Sequence, residues 1–291
     1  MCLTMRRHPT ARRPLVVSIF GLVAILLCTL ESRAETASAP DATPAGQTGD
    51  TPSSKERTIA DLKLALRWVE AGTFTMGSDN EEPSRNKAEG PRMQVTLTKG
   101  FWLGRTEVTQ AQYEAIVGTN PSTFKTLGPD APVECVSWLD AMAFCAKLNE
   151  RERAAGRLPA GYAYTLPTEA EWEYAHRSGT TGNYPGEPNA MAWTKENSGE
   201  TTHVVATKQP NAWGFYDLAG NVLEWCYDWY GDYPGGAVTD PKGPGRGFYR
   251  MARGGSWRMD VEVGRSAARA GGSEGRVDYT IGFRLALCAA R

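Results

Sequence analysis

The chain has 291 residues, with 32 lysines and arginines against 33 aspartates and glutamates. The basic residues form no run, so the composition gives no support for nucleic-acid binding. Residues 58–291 are enough for one large domain with a substantial core.

The N-terminal 34 residues have the pattern of an export signal. Four arginines between residues 6 and 13 precede an apolar run at 15–30, and small residues at 32–34 offer a cleavage site. The alternative is an uncleaved anchor, but this run is short for a membrane span, which needs about twenty residues. We therefore predict a signal peptide at 1–34, no membrane span after its cleavage, and a periplasmic or secreted protein.

Residues 35–57 are rich in Ala, Thr, Pro, Ser and Asp and contain almost nothing apolar to bury. Such a composition predicts a disordered linker. The domain is then expected at 58–291. Without residues 1–34 the chain has a net charge near −5, from 27 basic and 32 acidic residues.

Three helix starts are well marked in this domain. Thr109 with Gln112, and Thr168 with Glu171, form capping boxes in which the cap and the third helical residue satisfy each other's backbone N–H groups. Ser137 caps a further helix, with Asp140 favoured by the helix dipole, and the apolar stripe continues to roughly Glu150.

Short strands are predicted at 73–76, 94–97, 101–103 and 282–287. The last hundred residues are dominated by Gly-, Pro- and Trp-rich turns. Few helices, short strands and long ordered loops indicate an α+β domain whose loops carry the surface chemistry.

The stretch from Asn211 to Tyr230, NAWGFYDLAGNVLEWCYDWY, fits neither a helical nor a strand period, which predicts a packed loop. Asp217 and Glu224 stand seven residues apart with Gly220 between them. A turn at this glycine would bring two carboxylates and a backbone carbonyl onto one cation, and calcium prefers such oxygen ligands. The alternative is that the two carboxylates cap turns and support the tryptophan packing.

Eight blocks in order resemble the formylglycine-generating, sulfatase-modifying-factor family, over roughly residues 66–288. They are the segments 74–77, 107–113, 132–138, 166–174, 220–221, 224–225, 253–257 and 282–284. The resemblance implies a compact C-type-lectin-like fold that is poor in regular secondary structure. It also implies a structural calcium ion held by Asp217, the carbonyls of Gly220 and Val222, and Glu224. A second family calcium site would fall near Asn197, where the loop matches poorly.

The family's oxidases bind copper(I) through two cysteines five residues apart, and soft thiolates suit that ion. Here Met259 stands at the first of these positions, and an ungapped count places Gly264 at or near the second. A methionine cannot act as a thiolate nucleophile. The family's tryptophan before the acidic calcium ligand is also replaced, by Leu223. By this comparison copper is not expected, and no catalytic residue is assigned.

Iron stays open as a cofactor, because other members of the wider family use it without the cysteine pair. Sulfoxide synthases of the family draw histidines from a separate helical domain, which this chain lacks. The chain after residue 34 has only His176, expected to pack on its helix, and His203, expected to be solvated. Spacing indicates no site with two histidines and one carboxylate.

Four cysteines follow the signal, at 135, 145, 226 and 288, and export would permit disulfides. Cys145 matches a family cysteine that bridges to the C-terminal strand, with Cys288 as the nearest partner here. Buried free thiols are the alternative for Cys135 and Cys226.

The resemblance places a further set of residues at a groove for a peptide or small-molecule ligand: Arg253, Ser256, Arg265, Arg269 and Arg284. Ion pairs with the acidic loops are the alternative for these arginines. Three functions follow: a binding or accessory module, a non-thiol metal-dependent oxidoreductase similar to pyoverdine-maturation members, and a formylglycine-generating oxidase. The missing thiols favour the first.

Overall fold

The computed structural model describes residue 52 and residues 54–291. The predicted signal peptide and most of the predicted linker lie outside the described residues. The first strand begins at Glu56, inside the stretch predicted as linker, so the ordered part of the chain starts before residue 58.

The strands are β1 (Glu56–Ile59), β2 (Leu64–Val69), β3 (Gly72–Met76), β4 (Met93–Leu97), β5 (Phe101–Gly104), β6 (Tyr162–Thr165), β7 (Leu223–Trp229), β8 (Gly236–Thr239), β9 (Arg250–Arg253), β10 (Ala270–Gly272), β11 (Ile281–Gly282) and β12 (Ala286–Ala289). The α-helices are α1 (Gln110–Val117), α2 (Trp138–Ala154), α3 (Glu169–Arg177) and α4 (Pro188–Met191).

The strands form three small sheets. The first has the order β1-β2-β5-β12-β6 and is antiparallel throughout. The second, β10-β9-β7-β11, ends in a parallel pair between β7 and β11. The third, β3-β4-β8, joins β8 in parallel to an antiparallel hairpin.

The capping boxes begin the helices where the sequence predicts them. Thr109, Ser137 and Thr168 each accept a hydrogen bond from the backbone of the third helical residue, whose side chain bonds back. These contacts satisfy backbone donors that a helix start would otherwise leave unpaired. Helix α2 runs to Ala154, about one turn beyond the predicted end.

Two strand assignments from the sequence need correction. Residues 223–229, predicted as loop, form strand β7, whose first four residues are all buried and so show no alternation. The single strand predicted at 282–287 is two strands, because the chain leaves β11 at Gly282 and joins a different sheet at Ala286.

Two clusters of buried side chains form the core. One packs α1 and α2 against the five-stranded sheet around Phe144 and Phe283. The other packs α3 around Trp172, Met251 and Phe215. None of the helices in residues 54–291 combines the length and the apolar character that a membrane crossing requires.

Candidate functional site

An ion pair between Glu224 of β7 and Arg284 is completely buried. Arg284 donates from Nε to Oε2 and from Nη2 to Oε1, both at 2.6 Å. Its remaining N–H groups reach the carbonyls of Gly104 at 3.0 Å and Tyr216 at 2.9 Å. Trp172 of α3 also donates to Glu224 Oε2, at 2.7 Å. The pair therefore links β7 with α3, with Gly104 of β5 and with Tyr216 through hydrogen bonds.

Two further buried carboxylates lie in the same region. Glu107 accepts hydrogen bonds from Asn221 Nδ2 at 3.1 Å and from the Val222 N–H at 3.3 Å. Asp217 Oδ2 accepts from the Ala206 N–H at 2.7 Å, whereas its Oδ1 is buried with no partner among the described residues. Glu107 was not singled out from the sequence, although it opens one of the blocks that carry the family resemblance.

The cluster contains three carboxyl groups and one guanidinium, and their charges interact. Burial raises the pKa of Glu107 well above its ordinary value, and the charges of Asp217 and Glu224 raise it further. Burial also raises the pKa of Asp217 to about 6. With all three carboxylates ionised, Arg284 would leave two negative charges uncompensated in the interior, which is the charge of one divalent cation.

The ligand set expected for calcium is compatible with this geometry in part. Asp217 supplies an unpaired oxygen, and Glu224 retains capacity at Oε1 but not at Oε2, which already accepts two hydrogen bonds. Gly220 has φ +77°, and a Cβ there would lie 2.2 Å from the Trp193 carbonyl, so the turn requires glycine. No group of three or more His, Cys, Asp or Glu side chains in residues 54–291 is placed to hold a metal. A calcium ion would therefore depend on the carbonyls of Gly220 and Val222.

The arginines expected to line a groove are instead engaged in ion pairs. Arg253 is fully buried between Glu169 and Glu173 of α3, with 3.3 Å from Nη1 to Glu169 Oε1. Arg269 bonds both oxygens of the same Glu169, at 2.7 and 2.8 Å. Ser256, also predicted to line the groove, is 1% exposed.

Arg265 is likewise enclosed by acidic side chains. Its guanidinium reaches Glu89 at 2.8 Å and Glu82 at 2.5 Å, and the side chain is 4% exposed. Arg284 is the fourth arginine predicted for the groove. All four form ion pairs with acidic residues, as the alternative interpretation of the sequence expects. Arg269 also borders a cavity.

The structure does have a cavity beside the segment that carries Met259. Its volume is about 510 Å³, and its lining residues are Lys195, Ser198, Glu200, Trp257, Arg258 and Tyr279. Trp257 and Tyr279 pack with ring centroids 5.8 Å apart, and Arg258 lies 5.4 Å from the Tyr279 centroid.

The backbone of Met259 is fixed close to this cavity. Its N–H donates to the Ser256 carbonyl and its own carbonyl accepts from Lys195, both at 3.0 Å. Gly264 is buried at the end of a short 3₁₀ turn, Val261–Gly264. The segment between Ser256 and Gly264 thus borders a cavity, and no cysteine is among the residues that line it.

All four cysteines in the described part of the chain are free. Burial raises the pKa of Cys145 far above its ordinary value, and the neighbouring Cys288 raises it further. Burial raises the pKa of Cys288 to about 11. With these raised pKa values both thiols are protonated at neutral pH. The Cys145–Cys288 disulfide stays a prediction. Cys226 is fully buried as expected, whereas Cys135 is half-buried.

The two histidines lie in different environments. His176 is completely buried and stacks on Trp172 at 5.0 Å, as expected for a packed helical residue. Burial lowers the pKa of His176 well below its ordinary value. His203 was expected to be solvated, but it is half-buried: its ring stacks on Trp193 at 3.7 Å and its Nε2 lies 2.7 Å from the Ser198 carbonyl.

Asn197, near which a second calcium site was expected, makes local hydrogen bonds. Asn197 Oδ1 accepts from the Thr194 N–H at 2.9 Å, and its Nδ2 donates to the Ala192 carbonyl at 3.0 Å. Both ends of the amide take part in closing this turn, and the second calcium site stays a prediction.

The small curled sheets, few helices and long ordered loops define a compact α+β protein of the C-type-lectin-like kind. The model of the sulfatase-modifying factor enzyme 1-like domain matches residues 53–289, and the chain belongs to that family.

Among solved structures the chain is similar to Treponema denticola variable protein 1, with 31% identity, a TM-score of 0.72, and coverage of 82% of this chain and 100% of the other. It is also similar to PvdO from Pseudomonas aeruginosa, with 26% identity, a TM-score of 0.68, and coverage of 80% and 97%.

Curated relatives agree with this assignment. The formylglycine-generating enzyme of Mus musculus is 29% identical over 289 residues, covering 75% of this chain and 73% of the enzyme. The chaperone protein LppX of Paenibacillus barcinonensis is 29% identical over 245 residues, covering 68% of this chain and 80% of LppX. The chain spans only 24% to 38% of the chlamydial serine/threonine-protein kinases that it also matches.

Proposed function

We propose that this chain is an exported binding or accessory member of the sulfatase-modifying-factor family that does not convert cysteine to formylglycine. The observation that carries the proposal is the cavity of about 510 Å³ beside Met259, whose lining contains no cysteine. Its aromatic and charged walls, formed by Trp257, Tyr279, Arg258 and Glu200, suit a peptide or a small polar ligand. The similarity to LppX, whose name describes a chaperone, supports an accessory function.

The proposal is tested by looking for the family's reaction. Mature protein is incubated with copper(I), oxygen and a peptide that carries a Cys-x-Pro-x-Arg sequence, and mass spectrometry follows loss of the thiol and gain of the aldehyde. We expect no turnover, because Met259 and Gly264 supply no thiolate to exchange with the substrate cysteine.

The control for this assay is a formylglycine-generating enzyme that has the cysteine pair, run with the same peptide and the same copper. Aldehyde formation by the wild-type chain at a comparable rate would overturn the proposal in favour of the oxidase.

A second candidate is a non-thiol oxidoreductase, favoured by the similarity to PvdO along 80% of the chain. It requires a metal or another cofactor, and iron is the metal that the family resemblance leaves open. Metal analysis of the purified protein separates the two: stoichiometric iron would favour the oxidoreductase, and a protein without iron after growth in iron-rich medium would favour the binding module.

Export is the remaining part of the proposal and rests on the residue pattern of the first 34 positions. Protein recovered from the periplasm or medium is expected to begin at Glu35, because cleavage is predicted after the small residue Ala34. Intact mass spectrometry measures this directly, and a cytoplasmic species with the full N-terminus would contradict it.

A further inference from the structure

A second cavity, of about 310 Å³, lies between α3, the end of β7 and the segment that follows β8. It shares no lining residue with the cavity beside Met259. Most of its wall is apolar and includes Met76, Met93, Trp229, Tyr233, Pro234 and Pro244. A cavity of this size is at the lower end of the range for small-molecule sites.

The lining also includes Asp228, a carboxylate that is 3% exposed. Its Oδ2 accepts a hydrogen bond from the backbone N–H of Glu169, the first residue of α3, at 2.8 Å. No hydrogen bond from residues 54–291 to its Oδ1 accompanies this one, and this oxygen is not among the completely buried unpaired atoms. A carboxylate oxygen without a protein partner at a cavity wall can accept a hydrogen bond from a donor in the cavity.

Asp228 takes part in none of the ion pairs in residues 54–291, although the charge of Arg291 lowers its pKa and Lys242 also lines the cavity. Burial, with the nearby charge of Glu169 adding to it, raises the pKa of Asp228 to about 8. Arg269 also borders the cavity, but its guanidinium bonds both oxygens of Glu169.

Glu169 itself has little remaining capacity. Its Oε1 accepts from Arg269, from the Tyr233 hydroxyl at 3.0 Å and from Arg253 at 3.3 Å, and its Oε2 accepts from Arg269. Asp228 is therefore the buried carboxylate of this cavity that has an oxygen available for a hydrogen bond from a ligand, whereas Asp232, which also lines the cavity, is exposed.

We propose that this cavity binds a small organic cation, an ammonium group attached to an apolar body, and that Asp228 is the carboxylate that receives the ammonium. Apolar rings and thioethers enclose the body of the ligand, while the ammonium donates to the unpaired oxygen. This site is separate from the proposed ligand cavity beside Met259 and does not depend on its function.

The probe is 2-phenylethylammonium, compared with the uncharged 2-phenylethanol. Titrations are run at about pH 8.5, where the carboxylate is largely ionised and a primary ammonium still carries its proton. We expect the ammonium to bind at least about tenfold more tightly than the alcohol, since a hydrogen bond to a charged group is stronger than a neutral one. Methionine methyl NMR locates the ligand, because Met76 and Met93 line this cavity and Met259 does not.

Asp228→Asn is expected to weaken binding of the ammonium by about tenfold while leaving the alcohol unchanged. The asparagine side chain keeps an oxygen to accept the Glu169 N–H, and a thermal melt checks that the variant folds. The matched control is Asp232→Asn, which neutralises an exposed carboxylate on the rim of the same cavity and should bind like wild type. Equal affinities of wild type and Asp228→Asn for the ammonium, or no shift of the Met76 and Met93 methyl signals, would overturn the proposal.

Discussion

Arg284→Met is expected to lower the free energy of unfolding by about 3–5 kcal/mol, the range for breaking a buried ion pair by removing one partner. The guanidinium is fully buried and makes two bonds of 2.6 Å to Glu224. Its loss would leave that carboxylate in the interior with Glu107 and Asp217 and no opposing charge. The carbonyls of Gly104 and Tyr216 would lose their donor at the same time.

Urea denaturation of wild type and variant at neutral pH measures the effect. The control is Arg276→Met, which removes an arginine whose side chain is 40% exposed and whose ion pair with Asp278 is near the surface. Exposed pairs contribute little, so this change should stay within about 0.5 kcal/mol. A similar midpoint for Arg284→Met and Arg276→Met would show that the buried cluster is not a stability centre.

The sequence predicts the parts of this fold that depend on neighbouring residues. The capping boxes at Thr109 and Thr168 involve contacts three residues apart, and both helices begin where expected. Strand β7 was missed because it is buried on both faces where it starts, and such a strand lacks the alternation that distinguishes it from a packed loop.

The arginines show what sequence patterns cannot supply. Arg265 pairs with Glu89, 176 residues away, and Arg253 pairs with Glu173, 80 residues away. Only the fold brings these charges together, so the motifs around the arginines did not distinguish a ligand groove from a buried ion pair. The same holds for Glu107, whose carboxylate joins Asp217 and Glu224 from a distant block of the chain.

The charge balance of this cluster gives the calcium hypothesis its clearest test. Three carboxylates surround one guanidinium, and Asp217 Oδ1 is buried without a hydrogen-bond partner. A divalent cation held by Asp217, Glu224 and the carbonyls of Gly220 and Val222 would satisfy that oxygen and neutralise the excess charge. We therefore expect a chelator to lower the melting temperature and added calcium to restore it.

A ligand that binds only the folded state stabilises it by about 2.7 kcal/mol at a hundredfold excess over Kd. The informative variant is Asp217→Asn rather than Glu224→Ala. Asparagine keeps an acceptor for the Ala206 N–H, whereas removing Glu224 would break the ion pair with Arg284 whether or not calcium binds there.

We expect Asp217→Asn to lose most of the calcium-dependent shift in melting temperature, because a calcium ligand loses its charge. Glu150→Gln, an exposed change on α2, should keep the full shift. If the calcium response of Asp217→Asn equals that of Glu150→Gln, the ion binds elsewhere, and the uncompensated charge of the cluster must be neutralised by protons.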